Sequence, residues 1–248
     1  MRLTQTAVQD PKDIIVKIQA TALCGSELHV FRGHQPSEAG FIMGHEFVGE
    51  IVQAGSDVKT VALGDKVVAP FTVSCGTCWY CLHSSSSRCS QVLLFGCPAL
   101  DGGQAEYVRI PFADGTVVRA PSTINDRALI LMADIFPTGF FGARNAFGML
   151  MESQKLPSEE AVVVVVGCGP VGLCAIIPWS GSEAYGKNLK IQMGRCPVRS
   201  IFPEALEVLA KNQDKFSFMF DKIMPLSDAV EGYDLFDQMK VQKVIFKP

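Results

Sequence analysis

Apolar positions in the first half of the chain recur at short period-two intervals cut by turn residues. Ile14 to Leu23 sets Val16, Ile18 and Ala20 on one face, as a half-buried strand does. Phe47 to Gln53 predicts a second strand, closed by Ala54-Gly55-Ser56-Asp57, and Lys66 to Ala69 a third, entered through Gly64-Asp65. Gln104 to Ile110 and Thr116 to Arg119 flank Asp114-Gly115, which predicts a hairpin. Many short strands with Gly-rich turns predict a barrel or sandwich.

The period changes near residue 128. Ala128 to Met151 is largely apolar and predicts helix, broken at Pro137. Val162 to Val166 is a run of five valines, the pattern of a strand buried on both faces of a parallel sheet. Pro203 to Asn212 and Ser227 to Met239 predict helices, and Val241 to Phe246 a closing strand. Ala161 to Ile177 is apolar for 17 residues, just under the ~18–20 that a membrane span needs. Gly167, Gly169, Pro170 and Gly172 inside it favour a turn, so no membrane partner is expected.

Composition narrows the class. Apolar residues make up 48% of the 248 and charged residues 19%, enough for a sizeable core. The net charge is −3 with no Lys/Arg run, which argues against nucleic acid as a partner, because phosphate binding needs clustered cations. Met1 to Asp13 holds no apolar signal stretch, so a cytoplasmic setting is expected. Grouped cysteines there more often hold metal than form disulfides.

Cys75, Cys78, Cys81 and Cys89 form C-x2-C-x2-C-x7-C. Four thiolates so spaced can surround one Zn²⁺ at roughly 2.3 Å each with no open position, which makes the site structural. An iron–sulfur set would want a last gap of three residues and a following proline; here the gap is seven and Ser90 follows.

Two further segments carry chemistry: Cys24-Gly25-Ser26-Glu27-Leu28-His29, and Gly44-His45-Glu46-Phe47-Val48-Gly49. Singly, Cys24 reads equally as a core thiol and His45 as a core histidine. Together, ahead of the cysteine knuckle and of Gly167-Cys168-Gly169-Pro170-Val171-Gly172, their order resembles the zinc-dependent medium-chain alcohol dehydrogenase family. The resemblance covers most of Asp10 to Ile177, and Met224 to Pro248 looks like the family's closing segment. It implies an α/β plus β fold: a GroES-like β-barrel catalytic domain at residues 1–140, completed by 216–248, with a truncated Rossmann-type nucleotide-binding domain at 141–215.

By that resemblance Cys24 and His45 are ligands of a catalytic zinc, with Asp134, just before Thr138-Gly139, as the third. Pairing of Asp134 with Arg144 or Arg127 is the alternative, since a carboxylate amid Leu131, Met132 and Ile135 must be compensated. Glu46 occupies the position behind the metal. Glu27 stands where an aspartate usually orients the histidine, and its extra methylene must be absorbed. Ser26 would take the alcohol proton and pass it to His29, unless His29 is a plain surface residue. The implied reaction is hydride transfer between a small alcohol or aldehyde and NAD or NADP, with two Zn²⁺ per chain and a possible homo-oligomer.

Gly167, Gly169, Pro170, Val171 and Gly172 form a G-x-G-x-x-G turn, which lets a pyrophosphate approach a helix N-terminus. After it the chain departs from the family. Pro178-Trp179-Ser180-Gly181 interrupts the crossover helix, and Leu189 to Met193 is followed by Gly194-Arg195-Cys196 with no acid to grip a ribose. A six-stranded nucleotide fold needs about 150 residues; Ala161 to Lys215 offers 55. An internal deletion after Ile177 is therefore expected, with weak dinucleotide binding. The alternative function is a zinc-stabilised pseudoenzyme that binds partners.

Overall fold

The computed structural model describes residues 7–152, 165, 167, 169–176, 195–220 and 222–248. Its organising element is β1 (Ile14–Ala22). One edge of β1 pairs antiparallel with β2 (Glu46–Ala54) along its whole length. Residues Ile14 to Lys17 of β1 also pair with β4 (Tyr107–Ile110), and Thr21 and Ala22 pair with β7 (Val244–Lys247). β3 (Lys66–Ala69) extends the sheet from β2, and β5 (Val118–Arg119) from β3. β6 (Lys222–Pro225) lies parallel to β7, joined to it through α8 (Ala229–Asp237) as a small βαβ unit. The first three expected strands form where the period-two pattern put them. β6 was missed, because four residues ending in proline carry too little periodicity.

Alternation divides the sheet residues between two cores. Ile14, Val16, Phe47, Ile51, Val67 and Val108 pack on one side, where Phe47 meets Phe95 edge to face with ring centroids 5.1 Å apart. Val48 and Val68 face the other way, into a cluster with Leu131, Phe136, Cys174, Phe202, Leu209 and Phe216. That second cluster spans the expected domain boundaries at 140 and 215. Its helices are α4 (Asp126–Leu129), α5 (Ile135–Glu152), α6 (Pro170–Ile176) and α7 (Val198–Asn212). Among the described residues no helix is long and apolar enough to cross a membrane.

Three expectations need correction. Gln104–Ile110 and Thr116–Arg119 do not form a hairpin: β4 pairs with β1 and β5 with β3. Asp114-Gly115 lies instead in a one-turn helix, α3 (Ala113–Thr116). There Asp114 accepts from the Lys59 and Thr60 backbone N–H groups, and a Cβ on Gly115 would meet Ser74 O at 2.3 Å. Both turn residues serve long-range contacts, which a local pattern cannot disclose. The expected break at Pro137 falls at Asp134, between a 3₁₀ turn (Ile130–Ala133) and α5. Pro137 is the third residue of α5, where its missing N–H would have no intrahelical partner anyway. The helix expected from Pro203 begins at Val198 and carries Pro203 inside it. Of the expected valine strand only Val165 is described; Val162–Val164, Val166 and Leu189–Met193 lie outside the described residues.

One loop-to-loop contact positions the chain entering β2. Gly102 N donates to Ile42 O at 2.7 Å, Gly103 N to Gly44 O at 2.8 Å and Gln104 N to Met43 O at 2.9 Å. A Cβ on Gly102 would sit 2.0 Å from Gly44 O. Gly102→Ala is therefore expected to destabilise the protein by about 1–3 kcal/mol, the usual cost of overpacking against backbone. Urea unfolding checks this, and an unchanged midpoint would contradict the close approach.

Candidate metal centres and the cleft between them

The β1–β2 register builds the first centre. Ala22 pairs with Glu46, so the end of β1 and the start of β2 lie side by side, and Cys24 and His45 follow from there. Asp134 arrives from the opposite direction, at the junction before α5. One donor atom from each of Cys24, His45, Glu46 and Asp134 lies within 4.8 Å of all the others. Cys24 Sγ donates to Asp134 Oδ2 at 3.4 Å, and His45 Nε2 is 3.7 Å from the same oxygen. Thr138 fixes the carboxylate: its hydroxyl donates to Asp134 Oδ1 at 2.8 Å, leaving Oδ2 for the cluster. Arg144, the alternative partner, pairs with Glu204 instead.

Glu27 shows how the longer side chain fits. Its Oε2 accepts from the Cys24 backbone N–H at 3.1 Å and from Gln104 Nε2 at 3.3 Å. Its Oε1 lies 3.4 Å from His45 Nδ1. The other ring nitrogen, Nε2, is thereby turned into the cluster, the usual division of labour in a ligating histidine. Gln104 is held in turn by the Tyr233 hydroxyl of α8 at 3.1 Å.

Ser26 borders the cluster. Its hydroxyl donates to Cys24 Sγ at 3.3 Å and lies 3.5 Å from His45 Nε2. His29 is three residues on, in the short helix α1 (Glu27–Phe31). It is exposed, its ring is 6.4 Å from that of His34, and it does not line the cleft.

The site is electrically set for a cation. Burial opposes a charge on His45, yet Asp134, Cys24 and Glu27 together hold its pKa well above the usual histidine range. Burial would raise the Asp134 pKa, but its contacts with His45 and Thr138 bring it below the usual value. The Cys24 pKa is raised by burial, against the pull of His45. A buried sulfur, an imidazole and two carboxylates fit Zn²⁺ well.

Lys243, which the sequence reading did not single out, completes the neighbourhood. Its side chain is 1% exposed, and Nζ donates to Glu46 Oε1 at 2.6 Å. Burial lifts the Glu46 carboxyl to about 7, with Lys243 pulling the other way. Lys243 itself is held charged, its pKa above the usual lysine value, because Glu46, Cys24 and Asp134 outweigh the cost of burial. The residue precedes β7, and Leu23 N donates to Val244 O at 2.9 Å, so the closing strand ties directly to the Cys24 segment. No sequence motif marks a lysine in that role.

The second centre is the cysteine lobe. The sulfurs of Cys75, Cys78, Cys81 and Cys89 all lie within 4.8 Å of one another. Cys75 Sγ accepts from Cys78 N at 3.3 Å, and Cys89 Sγ from Cys75 N at 3.2 Å and Gln91 N at 3.3 Å. Backbone donors aimed at sulfur favour thiolates. Hydrogen bonds from Ser90 and Cys81 N–H lower the Cys78 pKa to about 6, while burial raises that of Cys81 to about 12. The lobe docks on α7 through reciprocal Ser86–Ser200 hydrogen bonds at 3.1 and 3.2 Å.

A cleft of about 580 Å³ opens from the first centre, with Ser26, His45 and Asp134 in its wall and Phe41, Phe71 and Phe95 among its apolar lining. In the glycine turn, Gly167 has φ +97°, and a Cβ on Gly172 would meet Gly167 O at 2.0 Å. Gly169 has open space at its Cβ position, and Pro170 and Val171 begin α6.

The chain is similar to several known proteins. The alcohol dehydrogenase GroES-like domain matches residues 10–122. A zinc-type alcohol dehydrogenase B of Aspergillus flavus is 46% identical over 329 aligned positions, covering 97% of this chain and 76% of that protein. Because this chain has only 248 residues, part of that relative has no counterpart in it. A medium chain reductase/dehydrogenase of an Acremonium species is 66% identical over 171 residues, covering 68% of this chain and 58% of that protein. A formaldehyde dismutase of Pseudomonas putida is 38% identical, and the chain spans 42% of its length. Among solved structures, an alcohol dehydrogenase from Thermus sp. ATN1 superposes with a TM-score of 0.82 at 22% identity, covering 100% of this chain and 95% of that one, a likeness of fold. With the seven-stranded sheet, the two donor clusters and a relative 46% identical over 97% of this chain, the chain belongs to the zinc-dependent medium-chain alcohol dehydrogenase family.

Proposed function

We propose that the chain is an oxidoreductase interconverting a small alcohol and its aldehyde or ketone by hydride transfer, and that its shortened nucleotide half holds NAD or NADP only weakly. The observation carrying this reading is the meeting of Cys24, His45 and Asp134 at the wall of a cleft, with the Ser26 hydroxyl beside them. A Zn²⁺ held by these three would act as a Lewis acid on an alcohol oxygen and lower its pKa. Ser26 Oγ, one residue before α1, accepts the alcohol proton at the cleft wall while releasing its own, which His29, exposed in that helix, passes on to solvent. A nicotinamide cofactor held at the Gly167–Gly172 turn would supply the hydride acceptor for the alcohol carbon, and the donor in the reverse direction. Glu27 keeps His45 turned inward, and Thr138 does the same for Asp134. Glu46, paired with Lys243, stands behind the cluster as a further carboxylate.

The four cysteines hold a second, structural Zn²⁺ in this reading. The glycine turn from Gly167 to Gly172 supplies backbone N–H groups for a pyrophosphate, within residues 141–215; residues 1–140 and 216–248 form the catalytic part. Similarity to a formaldehyde dismutase and to formaldehyde dehydrogenases at 34–38% identity supports a small aldehyde or alcohol as substrate. A cytoplasmic, homo-oligomeric enzyme is the corresponding expectation. The unmatched part of the Aspergillus relative favours a second reading, a zinc-stabilised protein without dinucleotide binding.

Elemental analysis is expected to find about two zincs per chain. Cys89→Ser lowers that towards one and weakens the lobe, whereas His45→Ala lowers it towards one while abolishing any dehydrogenase activity. A stably folded, metal-free protein would sink the two-zinc assignment.

The glycine turn and helix dipole contribute only ~1–2 kcal/mol to anion binding, whereas a micromolar complex needs roughly 8 kcal/mol. Fluorescence titration with NADH and NADPH should therefore give constants far weaker than micromolar; tight binding by the monomeric chain would remove the basis for weak binding.

Lys243→Met leaves Glu46 buried without its cation, a change that costs about 3–5 kcal/mol. Adding Glu46→Gln should recover much of that loss in thermal unfolding, and strict additivity of the two changes would contradict the coupling.

A further inference from the structure

The cleft wall carries a cation that the reaction just described does not use. Arg195 is the sole lysine or arginine among the described lining residues. It is exposed, and among the described residues no carboxylate lies within ion-pair distance of it. Its guanidinium instead lies over the Phe71 ring, 5.1 Å from the centroid. Phe71 in turn stands edge-on to His45 with centroids 6.3 Å apart. Through that shared ring, the guanidinium carbon can be no more than about 11.4 Å from the centre of the His45 imidazole.

Its backbone is held on the C-terminal side. Arg195 O accepts from Ser87 Oγ at 3.2 Å, and Cys196 Sγ donates to Pro137 O at 3.6 Å just before α7 begins. The other charged groups lining the cleft do not neutralise it. Glu27 is engaged with Cys24 N and Gln104, and Asp134 with Thr138 and Cys24. Glu38 lines the cleft but does not pair with Arg195. A planar guanidinium stacked on an aromatic face, with no ion-pair partner among the described residues, is well suited to a carboxylate.

We propose that Arg195 binds the carboxylate of the substrate, so that the preferred alcohols and aldehydes carry an acid group at the end remote from the reacting carbon. This rests on the cleft being the substrate site of the proposed oxidoreductase. The aromatic lining and the bound of about 11.4 Å suit a compact, flat spacer between the two ends. The same cation could serve a cofactor phosphate, which the test separates.

Binding of 4-(hydroxymethyl)benzoate and of its neutral methyl ester is measured by calorimetry on the zinc-loaded full chain, which avoids any dependence on hydride transfer. The acid is expected to bind at least ten-fold more tightly than the ester. Arg195→Met should bring the two to parity, leave the ester unchanged and retain the zinc content, while Arg195→Lys keeps part of the preference. Parity in the unaltered protein overturns the proposal, as does a preference that survives Arg195→Met, which would place the carboxylate on the metal. ADP-ribose is titrated in parallel. If Arg195→Met weakens ADP-ribose and spares the acid preference, the anion belongs to the cofactor and the proposal fails. If neither benzyl compound binds the zinc-loaded protein, the substrate-site reading fails and takes this inference with it.

Discussion

The antiparallel register of β1 on β2 is the constraint on which the rest depends. Ala22 faces Glu46, so a cysteine two residues beyond one strand and a histidine one residue before the other come together although 21 positions apart. Slipping the register by one residue would turn every side chain to the opposite face, exchanging Phe47 and Val48 between two cores. The pairing is therefore specified by burial on both sides of the sheet. β7 closes the arrangement by pairing with Thr21 and Ala22, which fixes the end of β1 where the Cys24 segment leaves it.

What the sequence disclosed follows from the range of each interaction. Donors grouped in short motifs, such as Cys75 to Cys89 or Gly44-His45-Glu46, carry their spacing on the page, and the structure brings them together. Asp134 was legible only through family resemblance, because its chemistry depends on Thr138 one turn later and on strands more than 80 residues earlier. Lys243 was not legible at all. In sequence it is one of several C-terminal lysines; only the pairing of β7 with β1 carries it into contact with Glu46. The mistaken hairpin has the same origin. Asp114 and Gly115 have turn chemistry, but their partners are Thr60 and Ser74, so long-range packing decided between two locally acceptable conformations.

Glu46 and Lys243 set a further condition on the metal centre. An isolated buried charge costs several kcal/mol, and an ion pair offsets that only when its geometry is good. The pair is almost fully excluded from water, with one lysine hydrogen bond at 2.6 Å. It lies beside a cluster already rich in acceptors, so a second cationic charge there balances Cys24, Asp134 and Glu46 together. This explains how three acidic groups can converge in a core without forcing the strands apart. It also links the metal site to the last strand, which a purely local reading of ligands would treat as packing.

The same logic separates folding from cofactor binding in the shortened half. α6 packs against α5, and Cys174 of α6 joins Phe136, Phe202 and Phe216 in one core with Val48 and Val68 of the sheet. Apolar burial of this kind is non-directional and roughly proportional to area, so the remaining helices can be retained by the barrel without a full nucleotide sheet. Gripping a dinucleotide is a different demand, met by donors at fixed positions along an extended ligand. On the proposed reading, removal of internal strands would leave the first requirement satisfied while taking away most of the second. The candidate metal centre belongs to the first: its donors lie just beyond β1, at the start of β2 and at the turn before α5, all anchored by the sheet and its two cores.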